Sequence, residues 1–274
     1  MRSENQEYLF GLDEICERVY TYCKIILDSD DKEKQKMNKL SISPTFLFYG
    51  LPGTGKTALA HKIYCRLKLD YNIDEKHLKM DSLISSNFGE SSQNLLSFFE
   101  DLKEEHKKNQ SKSFIIIDEI DSFTLNRFKN DNESIRRVLL TFNTIFDELR
   151  FNQDSCNFIV VATTNLMEEI DTSVLRRFFF KEDFNVILDE QNFHTYMDVL
   201  LGEIQVRLDN EEYNKLYKLY EKKKFTLGEI KKCFANIYMK MQMDDKNKVD
   251  LCKTFSEQST YYELLQKQIN MKGN

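Results

Sequence analysis

Residues Gly50-Leu51-Pro52-Gly53-Thr54-Gly55-Lys56-Thr57 place a glycine, four residues, then Gly-Lys-Thr. Binding a phosphate makes use of each part of that spacing. Glycines let backbone N–H groups turn toward an anion with no Cβ in the way. A helix that starts at the lysine directs its positive end at the same anion. Lys56 reaches the β- and γ-phosphates of a nucleotide, and Thr57 offers a hydroxyl to Mg²⁺. The chain holds only 8 glycines and 2 prolines, so the crowding of Gly50, Pro52, Gly53 and Gly55 into one turn is a directed choice. Further along, an apolar run ends in Asp118-Glu119. Asp118 suits a water-mediated hold on Mg²⁺, and Glu119 suits a general base that polarises an attacking water.

Such residues need a scaffold that brings distant segments together. Thr45-Phe46-Leu47-Phe48-Tyr49 reads as a strand buried on both faces, short, apolar and aromatic, ending in the glycine turn. Helical spacing follows from Thr57 to Leu69. Phe114 to Ile117 and Phe158 to Ala162 read as two more buried strands, the second ending in Thr163-Thr164-Asn165. Helical stretches precede each strand, which predicts an α/β fold with a parallel sheet and helices on both faces. Ligands of such sheets bind beyond the carboxyl ends of the strands. After Val186 no buried strand run recurs. Residues 192–208, 211–223, 226–241 and 261–271 carry amphipathic helical spacing. The predicted division is therefore a nucleotide-binding α/β domain over 1–186 and a small C-terminal helical lid over 187–274. The polar run 28–39 is expected to be a helix end and an exposed loop.

Composition narrows the class. Lys plus Arg number 39 against 45 Asp plus Glu, a formal charge of −6, which argues against a general nucleic-acid binder. No apolar run is long enough for a membrane span, and residues 1–7 lack an apolar leader core. None of the six cysteines forms a Cys-x-x-Cys pair, and no histidine opens a His-Glu-x-x-His motif. Reduced thiols and a cytoplasmic location are the expectation.

In this order and spacing the chain resembles the AAA+ ATPases, nearer the AAA branch than the clamp loaders, over about residues 9–240. LFYGLPGTGKT is similar to the family's first nucleotide motif, with Ala58 continuing it, and FIIIDEID is similar to the second. Residues 133–140 resemble the arginine-bearing stretch on the next helix. VATTN resembles the sensor strand, which implies Asn165 beside the γ-phosphate and the attacking water. IDTSVLRRF resembles the arginine-finger stretch, which implies that Arg177, alone or shared with Arg176, reaches the nucleotide of a neighbouring subunit. Phe180 stands where many relatives carry a further arginine. Gly11 matches an N-terminal turn near the adenine, and Gly228, displaced by one position, matches a lid glycine at the nucleotide. Asn87, Phe88 and Gly89 match a substrate loop lining the ring pore, with Asn87 in place of the usual aromatic and Phe88 following it.

The resemblance implies ATP and Mg²⁺ as cofactors, a homo-oligomer, usually a hexamer, and remodelling or disassembly of a protein substrate. A short span before Gly11 implies a substrate or adaptor supplied by a separate chain. Residues 87–91 and 121–124 carry a weaker similarity to remodellers of HORMA-domain proteins. Two other functions are open at this point. One is an ATP-timed assembly switch, favoured by Asn87; the other is a nucleic-acid motor, disfavoured by the charge of −6.

Overall fold

A computed structural model describes residues 9–79, 90–121, 133–151, 157–243 and 250–272. The chain divides into two compact units. One holds Asp13–Gly50 and Lys56–Phe184; the other holds Met1–Leu12, Leu51–Gly55 and Asn185–Asn274.

The first unit is built on five parallel strands: β1 (Thr45–Tyr49), β2 (Ile73–Lys79), β3 (Lys112–Asp118), β4 (Phe158–Thr164) and β5 (Phe180–Asp183), in the order β2-β3-β4-β1-β5. The three strands expected from apolar runs form at the centre. β4 is buried throughout and lies between β3 and β1, with Leu47 opposite Ala162 and Ile115 opposite Val160. Branched and aromatic residues suit a ladder covered on both faces, where each buried large side chain contributes about 1.5–3 kcal/mol.

Helices α1 (Asp13–Leu27), α2 (Asp31–Lys39), α3 (Lys56–Leu67), α4 (Glu90–Asn109), α5 (Glu133–Phe151) and the short α6 (Thr172–Leu175) accompany the sheet. Leu47, Ile115, Ile117, Val160 and Ala162 bury one face against Leu95, Phe99 and Leu102 of α4 and Phe142 and Phe146 of α5. The alternate set of strand residues is buried too. Tyr64 of α3 packs on Phe114 at 5.9 Å between ring centres. Phe180 stacks on Phe46 at 4.7 Å and on Tyr22 of α1 at 4.6 Å. Arg18 of α1 clamps the edge strand with a two-pronged bond to Glu182, 3.1 and 2.6 Å.

Three elements differ from the sequence expectation. β2 reads IDEKHLK and buries only its Ile73 and Leu78, because it is an edge strand. β5 is the opposite edge and only four residues long. Neither shows the apolar run of a central strand. The polar run 28–39 holds a helix, α2, rather than a loop. It buries nothing, but Asp30 and Glu33 form a reciprocal capping box that satisfies its first N–H groups.

The second unit gathers α7 (Glu190–Ile204), α8 (Asn210–Lys223), α9 (Leu227–Met243), α10 (Leu251–Glu257) and α11 (Tyr261–Lys272). Asp189, Asp209 and Asp250 accept from backbone N–H groups at the starts of α7, α8 and α10. Phe193, Met197, Leu216, Tyr220, Ile230, Phe234 and Phe255 form its core. Within this unit, α10, seven residues long, had no counterpart in the sequence reading.

Candidate functional site

The glycine turn adopts a backbone that side chains other than hydrogen resist. Gly50, Gly53 and Gly55 have φ of 145°, 75° and 92°. The turn is closed by the Thr54 hydroxyl, which donates to the Leu51 carbonyl at 2.9 Å. Lys56 then opens α3.

Within the sheet unit, the ends of β1, β3 and β4 converge on this lysine. Lys56 is only 7% exposed. Its Nζ donates to the Gly50 carbonyl and to Asn165 Oδ1, both at 2.8 Å. Burial pushes its pKa from the ordinary 10.5 down to about 8, against the opposing pull of Asp121, Glu119 and Asp118. Asn165 is further held by its backbone N–H, 3.4 Å from Asp121 Oδ1. One residue on, the Thr57 hydroxyl donates to Asp118 Oδ1 at 2.8 Å, and the Thr163 hydroxyl donates to the same oxygen at 3.0 Å.

Glu119 is exposed and stands in the left-handed region, φ 53°. That conformation costs an L-residue about 1–2 kcal/mol. It is secured by Glu119 N–H donating to Thr163 Oγ1 at 3.2 Å and Ile120 N–H donating to the Thr163 carbonyl at 3.0 Å. A buried ammonium beside paired hydroxyl and carboxylate oxygens has the donor chemistry of a Mg²⁺–nucleotide: cation for phosphate, hard oxygens for the metal. The residues present fit both groups.

The expected site residues thus fall into distinct groups. Lys56, Thr57, Asp118 and Asn165 are joined by hydrogen bonds, with Glu119 next in chain to Asp118. Arg177 lies elsewhere in the same unit. Its guanidinium donates to Asp147 Oδ2 of α5 at 2.8 Å and to the Ser173 carbonyl at 2.6 Å, and the side chain is 16% exposed. Arg176 is the exposed member of the pair. Asn87, Phe88 and Gly89 lie outside the described residues.

In the helical unit, segment 51–55 meets Asn185 and the start of α9. Leu51 N–H donates to Asn185 Oδ1 at 2.8 Å, and Gly228 N–H donates to the Gly53 carbonyl at 3.0 Å. A Cβ on Gly228 would lie 2.4 Å from that carbonyl oxygen. Gly228 cannot retreat easily. Buried Glu229 accepts from Thr226 N–H, Thr226 Oγ1 and Tyr261 N–H at 2.8, 3.0 and 2.6 Å, anchoring the start of α9 to that of α11. Gly11, with φ 73°, sits where a Cβ would press Val186 at 3.2 Å. Pro52 and Ala58 are partly buried on either side of the turn. Gly228→Ala is therefore expected to displace segment 51–55 and weaken ATP binding about 10- to 100-fold, the range of an overpacking cost, measured by titration with a fluorescent ATP analogue.

Sequence reasoning missed Thr163, Asp121, Asp147 and Asn185. Thr163 reads as one more β-branched strand residue, and the other three are polar residues whose partners lie far along the chain. The FIIIDEID match and the 121–124 similarity touched Asp121, and the VATTN match ran through Thr163, but none assigned either residue a role.

A parallel sheet whose strand β1 runs into a glycine turn and a buried lysine, with Asp118 and Asn165 closing the adjoining strands, defines a phosphate-loop nucleotide-binding fold. The profile of the ATPase family associated with various cellular activities (AAA) matches residues 46–186. The chain belongs to the AAA family and is an ATPase. Spastin of Drosophila willistoni is 31% identical over 175 residues, 64% of this chain and 21% of that protein. Spastin of Drosophila melanogaster is 30% identical over 173 residues, 63% and 22%. The matched stretch spans about a fifth of the length of these curated relatives. A chain in the E. coli MS115-1 HORMA:CdnC:Trip13 complex superposes with a TM-score of 0.74 at 18% identity, covering 92% of this chain and 89% of that one. The FIGL-1 AAA domain in complex with ADP gives 0.62 at 18% identity, covering 97% and 89%. At that identity the likeness is one of fold. Among the described residues no helix is long and apolar enough to cross a membrane.

Proposed function

We propose that this chain is a Mg²⁺-dependent ATPase that works as a ring, a hexamer, and spends each turnover on remodelling or disassembling a partner protein in the cytoplasm. The observation that carries the catalytic half is the hydrogen-bonded set Lys56–Asn165 and Thr57–Asp118 at the ends of three adjacent strands. Bound Mg²⁺ supplies charge neutralisation between the phosphates. Gly50, Pro52, Gly53, Thr54, Gly55 and Ala58 form the cradle, Lys56 holds the terminal phosphates, and Thr57 and Asp118 hold the metal. Glu119 takes the proton of the attacking water, and Asn165 orients that water. The nucleotide domain is proposed over 1–186 and the lid over 187–274, with Gly11 and Gly228 assigned to the base; the compact units draw the line differently, grouping 1–12 and 51–55 with 185–274. The remodelling half is supported by the spastin similarity and by the likeness to a chain of a HORMA-containing complex. Asn87, Phe88 and Gly89 are the segment proposed to grip the substrate.

The decisive test measures ATP turnover with and without purified candidate proteins, a HORMA-domain protein first, together with amide exchange of the partner. ATP-dependent loss of the partner's protection, abolished by Glu119→Gln, is the expected result. Stimulation by DNA at low salt with no effect of proteins would overturn the remodelling reading. A complex that ATP assembles and hydrolysis merely releases, with partner protection unchanged, would replace it with a timing switch.

Arg177 is proposed to act across subunits, which requires exchanging Asp147 for phosphate oxygens. Arg177→Ala is expected to retain ATP binding and lose turnover by about 10³-fold or more, the lower end of the effect of an arginine finger. Turnover followed against protein concentration checks this, since only the wild type should accelerate on assembly. Arg176→Ala serves as the comparison.

A further inference from the structure

We propose that Thr163 is a positioning residue that holds Asp118 and Glu119 in register for hydrolysis. The ladder between β3 and β4 has its last rung at Ile117 and Ala162. Beyond that rung the two chains are joined through Thr163. A hydroxyl has one proton to donate and lone pairs to accept with. Here the proton goes to Asp118 Oδ1 at 3.0 Å, and a lone pair receives the Glu119 N–H at 3.2 Å. The Thr163 carbonyl takes the next N–H, that of Ile120, at 3.0 Å. Thr163 is 3% exposed, so water is a poor substitute for these partners.

These contacts fall where placement matters most. Glu119 is in the left-handed region, a conformation that persists only when its surroundings over-determine it. The neighbouring carboxylate oxygen is shared with Thr57 at 2.8 Å. One side chain on β4 therefore sets both the turn of Glu119 and the bearing of Asp118 toward Thr57. The inference rests on the reading of Glu119 as general base and Asp118 as metal holder.

Thr163→Val keeps the volume and the β-branched shape while removing both polar links. The full-length variant is expected to lose about 10- to 100-fold in kcat, the usual effect of removing an outer-sphere partner. KM and affinity for a fluorescent ATP analogue should stay close to wild type, and Tm should fall by no more than a few degrees, about the cost of leaving one donor unpaired. Thr163→Ser, which retains the hydroxyl, should restore most of kcat; Thr163→Ala, measured alongside, should lose it as valine does. The inference is overturned by wild-type kcat in the valine and alanine variants, by failure of serine to rescue, or by losses of Tm and nucleotide affinity matching the loss of kcat. Glu119→Gln run in parallel separates the two readings. Undiminished hydrolysis there removes the underlying assignment, whereas loss there with full turnover in Thr163→Val removes only this one.

Discussion

Glu119→Gln is expected to bind ATP as the wild type does and to hydrolyse it about 10²–10⁴-fold more slowly, the usual worth of a positioned general base. The amide keeps the size and the exposed setting of the carboxylate, but it cannot take a proton from water. The backbone N–H of residue 119 still meets Thr163 Oγ1, so the left-handed turn and the neighbouring Asp118 are undisturbed. The loss should therefore sit in kcat, with fluorescent-nucleotide affinity and Tm preserved. Single-turnover release of phosphate from pre-bound ATP is the direct measurement. Hydrolysis at the wild-type rate would assign the base to another group.

The second large effect is at Lys56. Removing a buried charge that pairs with an anion costs about 2–5 kcal/mol of binding, so Lys56→Ala is expected to weaken ATP about 10²–10³-fold. Without nucleotide the same lysine is a burden. Its pKa lies at about 8 against an ordinary 10.5, so folding disfavours the ammonium by about 3 kcal/mol at neutral pH. That cost is present in full below about pH 8 and fades as pH rises toward 10.5, where the unfolded chain also loses the proton. Lys56→Met keeps the stem in place and removes the charge. Its nucleotide-free Tm at pH 7 should match or exceed wild type while binding is lost. In the wild type, phosphate requires the charged form, so ATP affinity should fall as pH rises through about 8. Titrations at pH 7, 8 and 9 check the direction, and a rising affinity would show that Lys56 does not face the phosphates.

The two variants test different links of one arrangement, and the links differ in how plainly the chain displays them. The phosphate loop is local in sequence: glycine spacing, lysine and threonine lie within a single turn, and φ of 75° and 92° at Gly53 and Gly55 are what those glycines permit. The three central strands were legible because burial on both faces demands continuous apolar runs. Edge strands carry no such demand. Ile73–Lys79 is held by backbone bonds to β3, and its charged side chains either meet solvent, as Asp74 and Lys79 do, or pair with neighbouring helices, Glu75 with His61 and Lys76 with Glu105, so its identity is a property of its neighbours. Phe180–Asp183 is likewise defined by pairing with β1.

The chain by itself determined which residues could bind phosphate and metal, because those roles depend on residue type and short-range spacing. Tertiary structure decided what restrains them. Asn165 meets Lys56, Thr163 bridges Asp118 and Glu119, Gly228 takes the Gly53 carbonyl, and Asp147 holds Arg177. Each of these pairs joins positions far apart in sequence through bonds that are directional and effective only within about 3 Å. Such closeness is imposed by strand order and helix packing, and the sequence separation of the partners carries no trace of it.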